Sequence, residues 1–227
     1  MRRMQAPTVK TPVDDLLRLG IYHRLVLARF PEHKRLTVRC EKAEKQLEEQ
    51  QKKYAEAVRA LIQPRAAVKI VDFFTDRYVN MIHLAAKLAD GGREGAVTRS
   101  LFPDGKAGIV EPVGASEITE VVHLETRLEK HGGPLSAEHL EPLRKLRKEY
   151  EAAVAARLAA MKEAGAQREL RNAARRVYVE AYVANQGAIK EAYPNDRRMQ
   201  DLFFDDVREA RDAGGDEEQT PVPAANG

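Results

Sequence analysis

The feature that most constrains the fold of this 227-residue chain is an internal repeat with a spacing of about 100 residues. The segment LEEQQKKYAEAVRA aligns with LRKLRKEYEAAVAA, and LFPD aligns with LFFD. The matched residues keep the same order in both halves: Pro12 with Pro112, Val13 with Val113, His23 with His123, Tyr54 with Tyr150 and Tyr78 with Tyr178. This order predicts a tandem duplication of residues 11–110 as residues 111–210, although alanine-rich amphipathic helices can also resemble each other by chance.

Composition predicts that both copies are helical. Charged residues make up 32% of the chain and aromatic residues 6%, tryptophan is absent, and alanine, leucine, arginine, lysine and glutamate dominate. This mixture is typical of long helices with a solvated face. We therefore expect an all-α fold, and the chain is long enough to bury a core without disulfides or metals.

The first copy is expected to form a short helix followed by an αα-hairpin. Thr11 can cap the first helix, with Pro12 in its first turn. A second helix is predicted over residues 32–62, and Pro64 is predicted to reverse the chain because proline interrupts helical hydrogen bonding. The returning helix would bury an apolar seam and end at Gly91 and Gly92. That seam consists of Ile70, Phe74, Met81, Leu84 and Leu88.

The second copy leaves two interpretations open. Its first helix is expected to begin at Ser116, after Gly114. The rest can form a hairpin that turns at Gly165, or one helix over residues 137–192, because a single glycine costs a helix only about 1 kcal/mol. The hairpin is preferred by analogy with Pro64. Two such hairpins predict an antiparallel four-helix bundle with short flanking helices and pseudo-two-fold symmetry, both repeats forming one domain. Residues 1–10 are expected to be a basic flexible arm and residues 211–227 a disordered tail.

The sequence also indicates the cellular compartment of the protein. Cys40 is the only cysteine, so no intramolecular disulfide can form, which suits a reducing compartment. No apolar run has the length of a signal peptide or a membrane span. We expect a cytoplasmic protein with no membrane partner.

Few residues are candidates for a metal site. A carboxylate-bridged di-iron bundle needs Glu-x-x-His on two helices, and only Glu120 with His123 fits, since Gly20 aligns with Glu120. His23 and His123 could meet across a pseudo-axis, but a histidine on an apolar helix face is more often a core residue. No metal, cofactor or small-molecule substrate is predicted.

No catalytic residue is predicted either. Cys40 lies on an apolar seam, where its thiolate is disfavoured. The adjacent pairs Asp14–Asp15 and Asp205–Asp206 point apart on a helix and lie near helix ends, where favourable dipole contacts explain them. The sequence therefore indicates a protein that is not an enzyme, with an enzymatic or metal-binding bundle as an alternative.

The sequence favours a function in which the surface of the protein binds other molecules. We expect a scaffold, adaptor or assembly subunit that binds a protein partner or itself. A helix near the end of the chain could offer Leu202, Phe203 and Val207 to a groove, although capping the core is the simpler role for its aromatic residues. A nucleic-acid binder is the alternative, because four arginines share one helical face: Arg168, Arg171, Arg175 and Arg176.

Overall fold

The computed structural model describes residues 6–205, and within this range the chain forms helices and no strands. The expected all-α class is thereby confirmed. A short 3₁₀ helix spans Pro31–His33. The α-helices are α1 (Val13–Leu27), α2 (Lys34–Ala60), α3 (Ile62–Ala89), α4 (Ala96–Leu101), α5 (Ala107–Val110), α6 (Ala115–His131), α7 (Pro134–Ala192) and α8 (Arg197–Leu202). Over residues 6–205, no helix has both the length and the apolar character needed to cross a membrane.

The described residues divide into two compact units. The first unit combines residues 6–56 with residues 166–205, and the second unit is Ala57–Gly165. The long helices α2 and α7 each supply residues to both units. Each unit therefore draws on both sequence halves, whereas the repeat predicted boundaries at residues 11–110 and 111–210.

The first unit is built on the apolar faces of α1, α2 and the later part of α7. In α1, buried residues recur at helical spacing, for example Leu16, Leu19 and Leu27. The sequence predicts one apolar seam along the second helix, formed by Leu36, Cys40, Ala43, Leu47, Tyr54, Val58 and Leu61. Its first four members are buried, whereas Tyr54 and Leu61 are half-buried and Val58 is 41% exposed. Tyr178, Tyr182, Ile189, Phe203 and Phe204 complete this core.

The second unit packs α3, α4, α5, α6 and the earlier part of α7 around its own core. The buried residues of α6 include Val121, Leu124 and Leu128, and Leu143 of α7 lies beside them. A smaller cluster joins Val68 of α3 to Tyr150 and Ala153 of α7.

The hairpin expected at Pro64 is not formed. Only Leu61 separates α2 from α3, and Leu61 keeps right-handed helical angles of φ −67° and ψ −21°. The amide of Arg65 already donates to the carbonyl of Leu61 at 3.2 Å. Pro64 is tolerated because it is the third residue of α3, where it removes a single helical hydrogen bond, so it interrupts the helix without reversing the chain.

The hairpin expected at Gly165 is also absent, because α7 runs unbroken from Pro134 to Ala192. Among the described residues, the glycines with positive φ are Gly91, Gly92, Gly105, Gly114 and Gly133. Gly165 thus keeps a backbone conformation that any residue adopts. Alanine, glutamate, lysine and arginine on both sides are strong helix formers, and they outweigh the small cost of one glycine.

Replacing Gly165 by alanine tests this helix directly. A Cβ atom at this position meets no other atom within 4 Å. We therefore expect Gly165→Ala to raise the free energy of unfolding by about 0.5–1 kcal/mol, measured by urea denaturation. A turn that used a left-handed glycine would instead be destabilised by the substitution, so a loss of stability would contradict the continuous helix.

Other expected details are corrected locally. Thr11 does not cap α1: its hydroxyl accepts the amide of Thr8 at 3.0 Å, within a turn that Lys10 also joins. Part of the arm predicted to be flexible is thus hydrogen-bonded. α6 begins at Ala115, one residue before the predicted start. The predicted tail and residues 1–5 lie outside the described residues.

Equivalence of the two halves is not confirmed. Tyr54 is half-buried beneath the guanidinium of Arg171, whose central carbon lies 4.2 Å from the ring centre. Tyr150 is fully buried and bonds to carboxylates. His23 is buried whereas His123 is exposed. Since the aligned residues occupy different surroundings, the duplication stays a prediction.

Candidate interaction surface

α3 carries two apolar seams on opposite sides. Its buried residues are Val68, Thr75, Val79, Ile82 and Ala86, which face the core of the second unit. The residues expected from the sequence to be buried follow a second seam displaced by two positions. Two residues turn an α-helix by about 200°, so this second seam faces away from the core.

The second seam is exposed to solvent, which corrects the expectation that it is buried. Phe74 is 51% exposed, Leu84 58% and Leu88 68%, and Ile70 and Met81 are similarly open. The smaller residues of α3 occupy the core side, and the larger apolar residues face outwards. A periodic pattern alone cannot show which of two such seams is buried. The seam with the larger apolar side chains, which was expected to be buried, is the exposed one.

We call this exposed seam the α3 stripe; it comprises Ile70, Phe74, Arg77, Met81, Leu84 and Leu88. Successive members are separated alternately by four and three residues. This alternation is the a and d spacing of a coiled coil. The flanking e and g positions are mostly uncharged: Val71, Phe73, Tyr78, Asn80, Ala85 and Lys87.

An open groove of about 560 Å³ lies along the centre of the stripe. The groove is lined by one residue of α7, Leu146, and by six residues of α3: Phe74, Arg77, Tyr78, Asn80, Met81 and Leu84. The guanidinium of Arg77 lies over the ring of Phe73, 5.7 Å from its centre. This cation–π contact positions the charge beside Phe73, and Arg77 also lines the groove.

The C-terminal end of α3 is held in place by Asp90. Its carboxylate accepts the amides of Gly95, Val97 and Thr98 at 2.7–3.1 Å, together with the Thr98 hydroxyl. These hydrogen bonds satisfy the first amides of α4 and lower the pKa of Asp90 to about 2. A Cβ atom on Gly95 would lie 2.5 Å from the carboxylate, so only glycine fits there.

Behind the N-terminal half of the stripe lies a buried polar cluster. The hydroxyl oxygen of Tyr150 lies 2.6 Å from Asp72 Oδ1 and 2.7 Å from Glu117 Oε2, and it accepts the amide of Gly114 at 3.0 Å. A phenol has one proton to donate. Both carboxyl contacts are therefore hydrogen bonds only if one carboxyl group carries a proton.

Glu117 is the group that carries it. Burial, with the nearby charges of Asp72 and Asp76, raises the pKa of Glu117 to about 8, despite its hydrogen bond with Tyr150. Burial also raises the pKa of Asp76. Protonated Glu117 donates to the phenol oxygen, and the phenol donates to Asp72. The arrangement holds α3, α6 and α7 together within the second unit.

Within the described part of either unit, the residues considered for a metal site do not belong to a larger cluster of ligands. Glu120 Oε2 lies 3.4 Å from His123 Nδ1 on the exposed face of α6, in the second unit, whereas His23 belongs to the first. Among residues 6–205, no group of three or more histidine, cysteine or acidic side chains has a metal-binding arrangement.

His23 of α1 is a core residue that binds the segment around Phe203, near the end of the described chain. Its Nδ1 donates to the carbonyl of Phe203 at 2.7 Å, and its Nε2 accepts Nδ2 of Asn185 at 3.1 Å. Its ring stacks on Phe204 with centres 4.5 Å apart. Burial lowers the pKa of His23, although the bond to Phe203 opposes this effect. The neutral imidazole therefore makes both bonds.

The four arginines predicted to form a basic stripe are only partly available. Arg171 is stacked on Tyr54, and Arg175 donates to the carbonyl of Val9 at 3.0 Å. Arg168 and Arg176 are exposed, with Glu169 3.7 Å from Arg168. The alternative of nucleic-acid binding therefore rests on fewer free cations than the sequence indicated.

The described residues of the predicted docking segment differ in exposure. Phe203 is fully buried against Phe30, His33 and Tyr193, which excludes it as an exposed docking residue. Leu202 is exposed, and Val207 lies outside the described residues. Cys40 is buried, and burial raises its pKa to about 12, which agrees with an unreactive thiol.

No protein-family model, curated protein or solved structure matches this chain. The candidate surface therefore rests on its own geometry. A signal for it was present in the sequence, because α3 is apolar on both sides. The two apolar seams, displaced by two positions, together predict a helix with one face for the core and another face for a partner.

Proposed function

We propose that this protein is a non-catalytic assembly subunit that acts through protein contacts made by the α3 stripe. The observation that supports the proposal is an exposed apolar seam with coiled-coil spacing on a helix whose opposite face is already buried. Isolated exposed apolar residues are ordinary, but a continuous exposed seam indicates a binding surface.

The size of the stripe supports the same interpretation. A large apolar side chain buries on the order of 150–200 Å², and five of them here are about half exposed. Together with Phe73 they present on the order of 500 Å² of apolar surface. Protein interfaces are about 60% apolar, so the matching interface covers about 800 Å² per chain, which is the standard size.

The proposal assigns no catalytic residue and places the chain in the cytoplasm. Two of the buried titratable groups, His23 and Glu117, make hydrogen bonds that hold their own units together. The free, buried Cys40 suits a reducing compartment.

Leu84→Glu tests the proposal. We expect the wild-type chain, expressed at its natural level, to migrate in native chromatography of cell extracts as a complex larger than its 25.5 kDa chain. A glutamate within the stripe should shift it to the position of a single chain, because an unpaired charge is costly to bury in an interface.

Leu25→Glu is the matched control. Leu25 is 64% exposed on α1 in the first unit, away from the stripe in sequence. This variant should migrate as the wild type does. Identical migration of the wild type and both variants would count against the α3 stripe as a contact surface.

A further inference from the structure

The pattern of the stripe also indicates what covers it. We propose that the α3 stripe pairs with the α3 stripe of a second copy of this chain, with the two helices antiparallel. This inference rests on the proposed function and specifies the partner. It rests on the observation that the stripe complements a second stripe running in the opposite direction.

In an antiparallel pair of helices, a positions of one helix meet d positions of the other. Numbering the stripe by its spacing places Phe74, Met81 and Leu88 at a, and Ile70, Arg77 and Leu84 at d. Reversal about residue 79 sets Ile70 against Leu88, Phe74 against Leu84 and Arg77 against Met81 of the second copy. Every a position thus meets a d position, and each outer layer is apolar.

Arg77 selects between the two directions of pairing. Parallel pairing in register places both Arg77 side chains in one layer, where two guanidinium groups repel as they lose water. Antiparallel pairing separates them and sets each apolar arginine stem against the thioether of Met81 in the second copy. The existing contact of Arg77 with the ring of Phe73 can then be kept.

The flanking residues agree with the same direction. Among the six e and g positions, Lys87 carries the only charge. Its ammonium is already paired with Glu94 at 3.0 Å. Antiparallel g positions meet g positions, so Lys87 lies near Phe73 of the second copy, and its pairing with Glu94 offsets its repulsion with the Arg77 that stacks on that ring.

The interface area expected for two paired stripes matches that of a stable dimer. Symmetric pairing buries the same patch on both chains, so about 800 Å² on each gives about 1,600 Å² in total, which is the size of a stable interface. The groove beside Leu146 then receives side chains of the second copy, and no further partner is needed to cover the apolar surface.

Sedimentation equilibrium of the purified full-length chain tests the dimer. We expect a reversible monomer–dimer equilibrium between low-micromolar and submillimolar concentrations. Leu84→Glu should weaken it at least about 25-fold, because it replaces a buried apolar contact by an unpaired charge, while Leu25→Glu should leave it unchanged. A strict monomer at every concentration would overturn the inference, as would a dimer that Leu84→Glu leaves intact.

Cysteine cross-linking tests the direction. In a Cys40→Ala background, Phe74→Cys combined with Leu84→Cys should give covalent dimers linked between positions 74 and 84, located by mass spectrometry of the peptides. Within one helix these positions are about 15 Å apart, too far for an internal disulfide. Phe74→Cys alone should give no such dimer, because only parallel pairing brings two copies of position 74 together. A link between two copies of position 74 would overturn the antiparallel arrangement.

The two proposals fail in different ways. If the purified chain is monomeric and uncross-linked, but its complex in cell extracts is lost in Leu84→Glu, the second copy is excluded and the assembly function stands with another protein on the stripe. If the extract complex is also absent, both proposals fail.

Discussion

Replacing Phe203 by alanine is expected to lower the free energy of unfolding by about 3–5 kcal/mol, the range for buried phenylalanine. Phe203 has no exposed surface, and its ring centre lies 4.7 Å from that of Phe30 and 5.5 Å from that of His33. Removing the ring leaves a cavity among Phe30, His33 and Tyr193. Chemical denaturation monitored by circular dichroism measures the loss.

Leu202→Ala is the matched control for this substitution. Leu202 is the preceding residue and is 44% exposed, so its truncation should change stability by less than about 1 kcal/mol. The alternative role of this segment as a docking helix predicts the reverse: Phe203→Ala would fold as stably as the wild type and lose a partner. A stable Phe203→Ala variant would therefore contradict the core assignment.

Glu117→Gln is expected to make the protein more stable at alkaline pH. The folded pKa of Glu117 is about 8, above the ordinary value of 4.5, so the folded state binds the proton more tightly than the unfolded state. The stabilisation is complete below pH 4.5 and is lost as the pH rises through 8. Glutamine keeps a donor for the oxygen of Tyr150 and cannot ionise, so this loss should disappear.

The comparison is made by urea denaturation between pH 5 and pH 9. At pH 9 we expect Glu117→Gln to exceed the wild type by on the order of 4–5 kcal/mol, since the shift from 4.5 to about 8 corresponds to about 1.4 kcal/mol for each pKa unit. Glu138→Gln, which changes an exposed carboxylate near the start of α7, is the charge-matched control and should keep the wild-type slope. A wild-type curve parallel to that of Glu117→Gln would contradict a protonated Glu117.

The helical class and the seam of α2 could be predicted from the sequence because both depend on local pattern. Leu36, Cys40, Ala43 and Leu47 recur at helical spacing and have no competing apolar face. The same spacing continues through Tyr54 and Val58, which are half-buried and exposed, so the pattern predicted burial correctly only for the first part of the helix. The prediction of α2 over residues 32–62 was accurate to two residues at each end.

The two expected turns failed for energetic reasons. A proline in the first turn of a helix and a glycine in the middle of one cost little, so neither Pro64 nor Gly165 compels the chain to reverse. Whether the helix continues or the chain turns depends on the tertiary packing that each alternative allows. That packing depends on which residues meet across the fold, and a single sequence does not show this.

The candidate surface was identified by residue but assigned the wrong role. Ile70, Phe74, Met81, Leu84 and Leu88 were expected to form the core, and they form the exposed stripe instead. Helical periodicity gives the angle between two seams and does not say which of them is buried. The polar cluster of Tyr150, Asp72 and Glu117 was missed because its members lie on three helices and share no local motif.

Hydroxyl-radical footprinting of the stripe tests the central claim most directly. Phe74 and Met81 are reactive side chains within the stripe, and Met161 on α7 is a comparably exposed reference outside it. We predict that oxidation of Phe74 and Met81 falls as the concentration of the wild-type chain rises, while oxidation of Met161 stays constant. Oxidation of all three at rates that do not depend on concentration, in purified protein and in cell extract alike, would contradict the assignment of the α3 stripe as an assembly surface.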